Sequence, residues 1–275
     1  MKVPSAVMRS LRSILGESSY VIARDLVEQW QTERDPKYRA SMRRLNALRD
    51  RHAGQRCFVI GNGPSLKRTD MSLLKEEFTI GVNRIYLMFD ELGFSTSYYV
   101  CVNRLVIEQC GREIIERVPC PKFISWKTRD FISFTKDMIF LHSRTASPRF
   151  FTDITQGIWE GATVTYAAIQ VAYFLGFSKV ILIGVDHSYW AEGKPRAEVV
   201  STGEDPNHFD RQYFGKGFRW QLPDLNTSEL GYRIARYVFE KKRREIVDAT
   251  IDGKLKIFPK VRYQDLFEAR VREIR

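Results

Sequence analysis

The rhythm of hydrophobic and polar positions changes near residue 55. Before it the chain is polar with helical periodicity: Val7, Leu11 and Leu15 recur on one face, and Val21, Leu26, Val27 and Trp30 make a second, less regular stripe. This predicts a helical N-terminal extension over residues 1–53. After it come short, wholly apolar runs. Cys57-Phe58-Val59-Ile60 ends at a glycine and reads as a strand, with a helix expected over 65–75. Further strands are expected at 78–82, 97–102, 122–125 and 137–141.

The second half carries the strongest signal. Residues 163–175 read as a buried helix, Gly176 closes it, and Lys179-Val180-Ile181-Leu182-Ile183 is a continuous apolar run rich in β-branched residues. A helix feeding a strand that is apolar on both faces is what a parallel sheet covered on both sides requires. Late helices are predicted over 226–243 and 263–274, with one more strand near 254–258. The pattern therefore predicts an α/β domain over residues 54–275, with a mostly parallel sheet and helices on both faces.

Composition narrows this only slightly. At 275 residues, 44% hydrophobic and 28% charged, the chain is that of a globular protein and not of a disordered or fibrous one. Arginines interrupt the first apolar residues before a secretory leader could form, and no apolar stretch is long enough to cross a bilayer. Cys57, Cys101, Cys110 and Cys120 lack C-x-x-C spacing and read as reduced thiols, so the expected location is cytoplasmic. The formal charge of +11 admits nucleic acid, an anionic membrane surface or a phosphorylated or acidic sugar substrate. Much of it falls in helix-like flanks such as Arg43-Arg44 and Lys241-Lys242-Arg243-Arg244, where a solvated face is the alternative. No recognisable nucleic-acid module organises it, so nucleic acid is not an expected partner. The basic first helix has two readings: a contact with the inner-membrane surface, or packing on the domain or on a second subunit of a homo-oligomer.

In an open parallel sheet, ligands collect where strands end and helices begin. Gly61-Asn62-Gly63-Pro64-Ser65-Leu66 is one such end: its glycines allow close backbone approach, its amides could face a phosphate, and Asn62 adds a donor. Leu66 stands where the third glycine of a dinucleotide fingerprint would be, and the Lys-Ser/Thr ending of a P-loop is absent. Gly184-Val185-Asp186-His187-Ser188-Tyr189 is the second end. Asp186 could cap the next segment, bind a ribose hydroxyl or hold a cation. His208, among Asn207, Asp210, Arg211 and Lys216 in a glycine-bearing loop, is suited to proton transfer near neutral pH. Arg211 and Lys216, with Arg219, could neutralise phosphate or a sugar carboxylate, or be solvated. His52 and His142 read as structural. No His or His/Cys group has metal-ligand spacing, so no metal is expected unless Mg²⁺ enters with phosphate beside Asp186.

The glycine turn continued through Lys67, then Gly81-Val82-Asn83-Arg84-Ile85-Tyr86, Leu175-Gly176-Phe177 and Ile183-Gly184-Val185-Asp186 together resemble the bacterial family-42 sialyltransferases. They also resemble the wider group that shares their Rossmann-like domain, which includes flagellin-glycosylation accessory (DUF115) and 6-hydroxymethylpterin diphosphokinase-like proteins. The resemblance covers roughly residues 56 to 260. It implies that Gly61, Asn62, Gly63, Pro64, Ser65, Asn83 and Asn103 contact CMP, with Thr163 or Thr165 lining the same site. It further implies that His208 is the general base, with Tyr189 and Tyr213 as phenols at the leaving phosphate. The compact sialyltransferases lack the Tyr213-Phe214-Gly215-Lys216-Gly217 run and the N-terminal extension.

The leading expectation is an inverting transferase, requiring no cofactor, that moves an acidic sugar of the sialic-acid or Kdo kind from a CMP-sugar to a bacterial surface glycan or glycolipid. The alternatives are an ATP-dependent, Mg²⁺-requiring diphosphokinase of the pterin type, and a non-catalytic nucleotide-binding component of a glycan-assembly complex.

Overall fold

The computed structural model describes residues 10, 12–145, 147–190 and 192–268. Val7 and Leu11, which define the first expected helix and its proposed membrane contact, and positions 269–274 of the last predicted helix lie outside them. Among the described residues, Ser10 and positions 12–14 are helical, and the helices α1 (Glu17–Glu33) and α2 (Pro36–Asn46) follow before the sheet. Asp35 starts the second by accepting from the Lys37 amide at 2.8 Å, with Pro36 in the first helical position, where its missing N–H costs nothing. Tyr38 and Leu45 of α2 are buried among the sheet's own core residues, so this helix is built into the main body.

The sheet strands are β1 (Arg56–Ile60), β2 (Thr79–Val82), β3 (Tyr98–Cys101), β4 (Lys122–Ser125), β5 (Met138–Leu141) and β6 (Lys179–Ile183). A hairpin of β7 (Glu198–Val200) and β8 (Arg219–Gln221) follows, and β9 (Glu245–Asp248) completes the sheet. The helices within this body are α3 (Phe89–Leu92), α4 (Arg104–Arg117), α5 (Val164–Phe174) and α6 (Leu225–Lys241). The seven strands lie in the order β5-β4-β3-β2-β1-β6-β9, and every neighbouring pair is parallel. The expected Rossmann-like architecture is thus present.

Strand alternation sorts the core into two layers. Cys57 and Val59 of β1, with Val180 and Leu182 of β6, face α5 and α6, while Phe58, Ile60, Ile181 and Ile183 face the α4 side. Each fully buried aliphatic or aromatic side chain contributes roughly 1.5–3 kcal/mol, which is why strands of only four or five residues hold. α5 is buried along almost its whole length. Its one strongly polar residue, Gln170, gives both amide hydrogens to the Trp159 and Tyr166 carbonyls and accepts from the Phe151 and Trp159 amides, which ties the 151–159 loop to the helix.

Two local expectations fail. The helix expected over 65–75 is a pair of 3-10 turns, Pro64–Arg68 and Met71–Leu74, because Asp70 breaks the run and caps the second turn through the Ser72 amide. The last strand is not at 254–258. Arg243, at φ 55°, reverses the chain straight out of α6 into β9, and Leu255, Ile257 and Phe258 reach the core from an irregular segment.

The topology decides where a ligand can go. The chain runs outward from β1 to β5 and returns to place β6 on the other side of β1. The carboxyl ends of β1 and β6 therefore flank the point at which the winding reverses, where connections leave in opposite directions and open a crevice.

Candidate functional site

Both glycine-bearing turns of the sequence lie at this crevice and lean on each other. Gly61 N–H donates to the Ile183 carbonyl at 2.8 Å, and Gly63 N–H to the Gly184 carbonyl at 2.9 Å. A Cβ on Gly61 would stand 2.2 Å from the Gly184 oxygen, and one on Gly63 would stand 1.8 Å from Asp186 Oδ2. The glycines are required by turn-on-turn contact within the protein.

Asp186 closes the arrangement. Its carboxylate accepts from the Ser65 amide at 3.0 Å and from the Ser65 hydroxyl at 2.7 Å. Burial pushes the Asp186 pKa up, and the Ser65 hydrogen bonds pull it partly back. The cradle of phosphate-facing amides expected here is thus corrected: Gly61, Gly63 and Ser65 give their N–H groups to the protein itself. The short 3-10 turn that begins at Pro64 also carries little of the dipole that a full α-helix would aim at an anion.

The turn nevertheless floors an inner chamber of about 80 Å³, which Asn62, Asn83, Thr163, Thr165, Asp186 and His208 help to line. Asn62 is buried. Its Nδ2 donates to the Val82 carbonyl at 3.0 Å, which fixes the amide's orientation, and its Oδ1 is left without a partner among the described residues. A buried acceptor without a donor costs about 1–3 kcal/mol, so this oxygen is a ready partner for a hydroxyl or amino group. Asn83, at φ 48°, accepts from the Cys101 thiol at 3.5 Å through Oδ1 and lines the chamber.

His208 is positioned from below and from one side. Its Nδ1 lies 2.7 Å from Asp205 Oδ2, and its ring stacks on Tyr213 with centroids 3.9 Å apart and planes 8° from parallel. Asp205 is itself held by the Asn207 and Phe214 amides. The Phe209 amide donates to the Asn62 carbonyl, so the His208 loop is anchored on the glycine turn. With Nδ1 engaged by a carboxylate, Nε2 is the ring nitrogen available to a ligand.

The remaining candidates divide. Tyr189 and Asp186 line the inner chamber, and Thr163 caps α5 while facing the same space. Tyr213 does not: it is fully buried, its hydroxyl accepts from the Arg84 amide at 3.2 Å, and its work is to carry the His208 ring. Arg211 is exposed and paired with Glu204, Lys216 is exposed, and neither lines the chamber. Asn103 stands elsewhere, as the cap of α4, accepting from the Leu105 and Val106 amides.

Asn103 faces a second, larger chamber of about 500 Å³ over the carboxyl ends of β3, β4 and β5, which shares Asn83, Thr163 and Val164 with the lining of the first. Arg104, Lys127, Arg144 and Arg196 line it. On its floor the Ser125 and Ser143 hydroxyls lie 3.2 Å apart, and Ser143 donates to Glu160, whose pKa is pushed up by burial. Sequence reasoning missed this wall because its residues come from four separate connections with no shared motif. Asp205 was missed as well, although its spacing of three residues from His208 is a readable signal. Among the described residues no three His, Cys, Asp or Glu side chains converge as a metal site, and no helix is long and apolar enough to cross a membrane.

A family model described as 6-hydroxymethylpterin diphosphokinase MptE-like matches residues 36–192, more than half of the chain. Among solved structures, the MAf glycosyltransferase from Magnetospirillum magneticum AMB-1 is similar, with a TM-score of 0.50 and 13% identity over 86% of this chain. At that identity the likeness is one of fold, and this chain spans 40% of the length of that one. No curated protein sequence matches.

Proposed function

The chain belongs to the MptE-like family, and on that premise we propose that it transfers a group from a nucleotide donor to a hydroxyl acceptor, with the Asp205–His208 pair as general base. The observation that carries the reading is the Asp205 carboxylate at 2.7 Å from His208 Nδ1, in a chamber that also holds the unpartnered Asn62 oxygen. A carboxylate on one ring nitrogen sets the tautomer and stabilises the imidazolium that forms when the other takes a proton.

In the glycosyltransferase form of this proposal, the donor is a CMP-linked acidic sugar and the acceptor a bacterial surface glycan or its glycolipid precursor. The acceptor oxygen gives its proton to His208 Nε2 and forms the bond to the anomeric carbon. The bond from that carbon to the phosphate oxygen breaks, and its electron pair leaves with CMP. A single displacement of this kind inverts the anomeric centre. Tyr189, at the inner chamber wall, would donate to the oxygen that links the departing sugar to its phosphate. The fold shared with the MAf glycosyltransferase and the sequence resemblance to sialyltransferases support this form.

The family's description supports a second form, in which the same base prepares a hydroxymethyl group to receive pyrophosphate from ATP. That reaction brings Mg²⁺ with the nucleotide, and Asp186 is the carboxylate nearest the chamber to receive it. Turnover with and without EDTA separates the two: transfer from a CMP-sugar should continue, and pyrophosphoryl transfer should stop. Replacement of His208 by Ala should lower turnover by about 10²–10⁴-fold in either form while nucleotide still binds. Unchanged turnover would leave the non-catalytic, nucleotide-binding reading in its place.

A further inference from the structure

The sequence places the donor's phosphate on the glycine turn, but the structure puts the positive electrostatic environment elsewhere. We infer that the anionic part of the ligand rests in the outer chamber, between the N-termini of α4 and α5, with Lys127 and Arg196 among its countercharges. This deepens the proposal above and rests on its premise that the cleft takes a nucleotide.

Three observations carry it. First, three of the turn's own amides are spent, those of Gly61 and Gly63 on the β6 turn and that of Ser65 on Asp186, and Pro64 has none to offer. Second, the two chambers differ in sign. No lysine or arginine lines the inner one among the described residues, whereas the outer one has Arg104, Lys127, Arg144 and Arg196 against Glu160 and Asp224. The 14-residue α4 points its positive end at the outer chamber alone, from Asn103, while the N-terminus of the 11-residue α5 borders both chambers, and full helices favour an anion at such an end. Third, the inner wall offers acceptors. The Asn62 oxygen has no donor among the described residues, and the Asp186 carboxylate lines the same chamber. A phosphate dianion brings only further acceptors to that wall, while a sugar hydroxyl or amine brings the missing hydrogen.

Size agrees with this division. The outer chamber, near 500 Å³, falls within the roughly 300–1,000 Å³ of small-molecule sites, and the inner one, near 80 Å³, admits only the reacting end of a ligand. The nucleotide would then lie over β3–β5 and reach past Asn83 and Thr163, so that its sugar meets His208. Glu160 sits under the phosphate and is held by Ser143, with Lys127 close enough to offset its charge.

The test uses the full chain, inorganic pyrophosphate and CMP as probes, cytidine as the uncharged comparison, and isothermal titration as the readout. Lys127→Glu should weaken pyrophosphate and CMP by about tenfold or more, and leave cytidine alone. Lys67→Glu makes the same charge change beside the glycine turn and should alter neither anion by more than about twofold. Melting curves confirm that both variants fold, and Arg196→Glu replaces Lys127→Glu if that variant does not. The inference is overturned if Lys127→Glu binds both anions as wild type does, if Lys67→Glu is the more damaging change, or if wild type binds neither anion. Pyrophosphate binding that depends on Lys127 without any binding of CMP would uphold the anion site and sink the CMP-sugar reading instead.

Discussion

Gly63 shows how one hydrogen atom's worth of space organises the crevice. Any side chain there drives into the Asp186 carboxylate, so Gly63→Ala should cost about 1–3 kcal/mol, read as a lower urea midpoint at an unchanged slope. Because the obstacle is a side chain, Asp186→Ala in the same molecule should return part of that loss, and a fully additive double mutant would contradict the contact. Glu160 makes a second prediction at this scale. Its folded pKa is raised by burial, so its neutral form favours the fold below its unfolded pKa, and that contribution is lost as pH rises through the higher folded value. Glu160→Gln, which keeps an acceptor for Ser143, should therefore gain stability relative to wild type at alkaline pH, with the difference shrinking towards pH 4. Asp224 behaves oppositely. Burial pushes it up, but the Thr227 hydrogen bonds and the Arg196 ion pair bring it net below the ordinary range, so its stabilisation is present above its unfolded pKa and lost as pH falls through the folded one.

Among the elements, α4 and α6 answer different questions. Asn103, expected to touch nucleotide, both caps α4 and lines the outer chamber, so Asn103→Ala should cost about 1 kcal/mol in thermal or urea unfolding even with no nucleotide present. A defect confined to nucleotide affinity, with unfolding unchanged, would contradict the capping role. Phe239 of α6 is 1% exposed and packs edge-on against Tyr173 of α5 and against Phe150. Phe239→Ala should cost about 3–5 kcal/mol, enough to loosen the layer behind β9, and protection of the β9 amides from hydrogen exchange should fall with it. The elements also show where local pattern misleads. Ile246 and Val247 are too few to announce a strand after a long amphipathic helix, whereas Leu255, Ile257 and Phe258 look like one because burial alone makes them apolar.

At the scale of the whole molecule, the basic charge and the crevice make a joint prediction. If the ligand's charge is met by the outer wall, affinity for CMP and pyrophosphate should fall steadily with added salt, while cytidine should be indifferent. The sequence alone determined the alternation of apolar strands and helices, the parallel sheet they imply, the two turns at its edge and the histidine of the later loop. These rest on periodicity and on residues within a few positions of one another, which a linear reading can see. The tertiary structure decided what those pieces face. The Ser65–Asp186 contact spans 121 residues and follows from the register of β1 on β6, which turned an expected phosphate cradle into an internal brace. It likewise decided that Tyr213 supports His208 from beneath, and that Arg104, Lys127, Arg144 and Arg196 share one wall. Partner choice across long separations is set by strand order and register, and neither is written in any short stretch of chain.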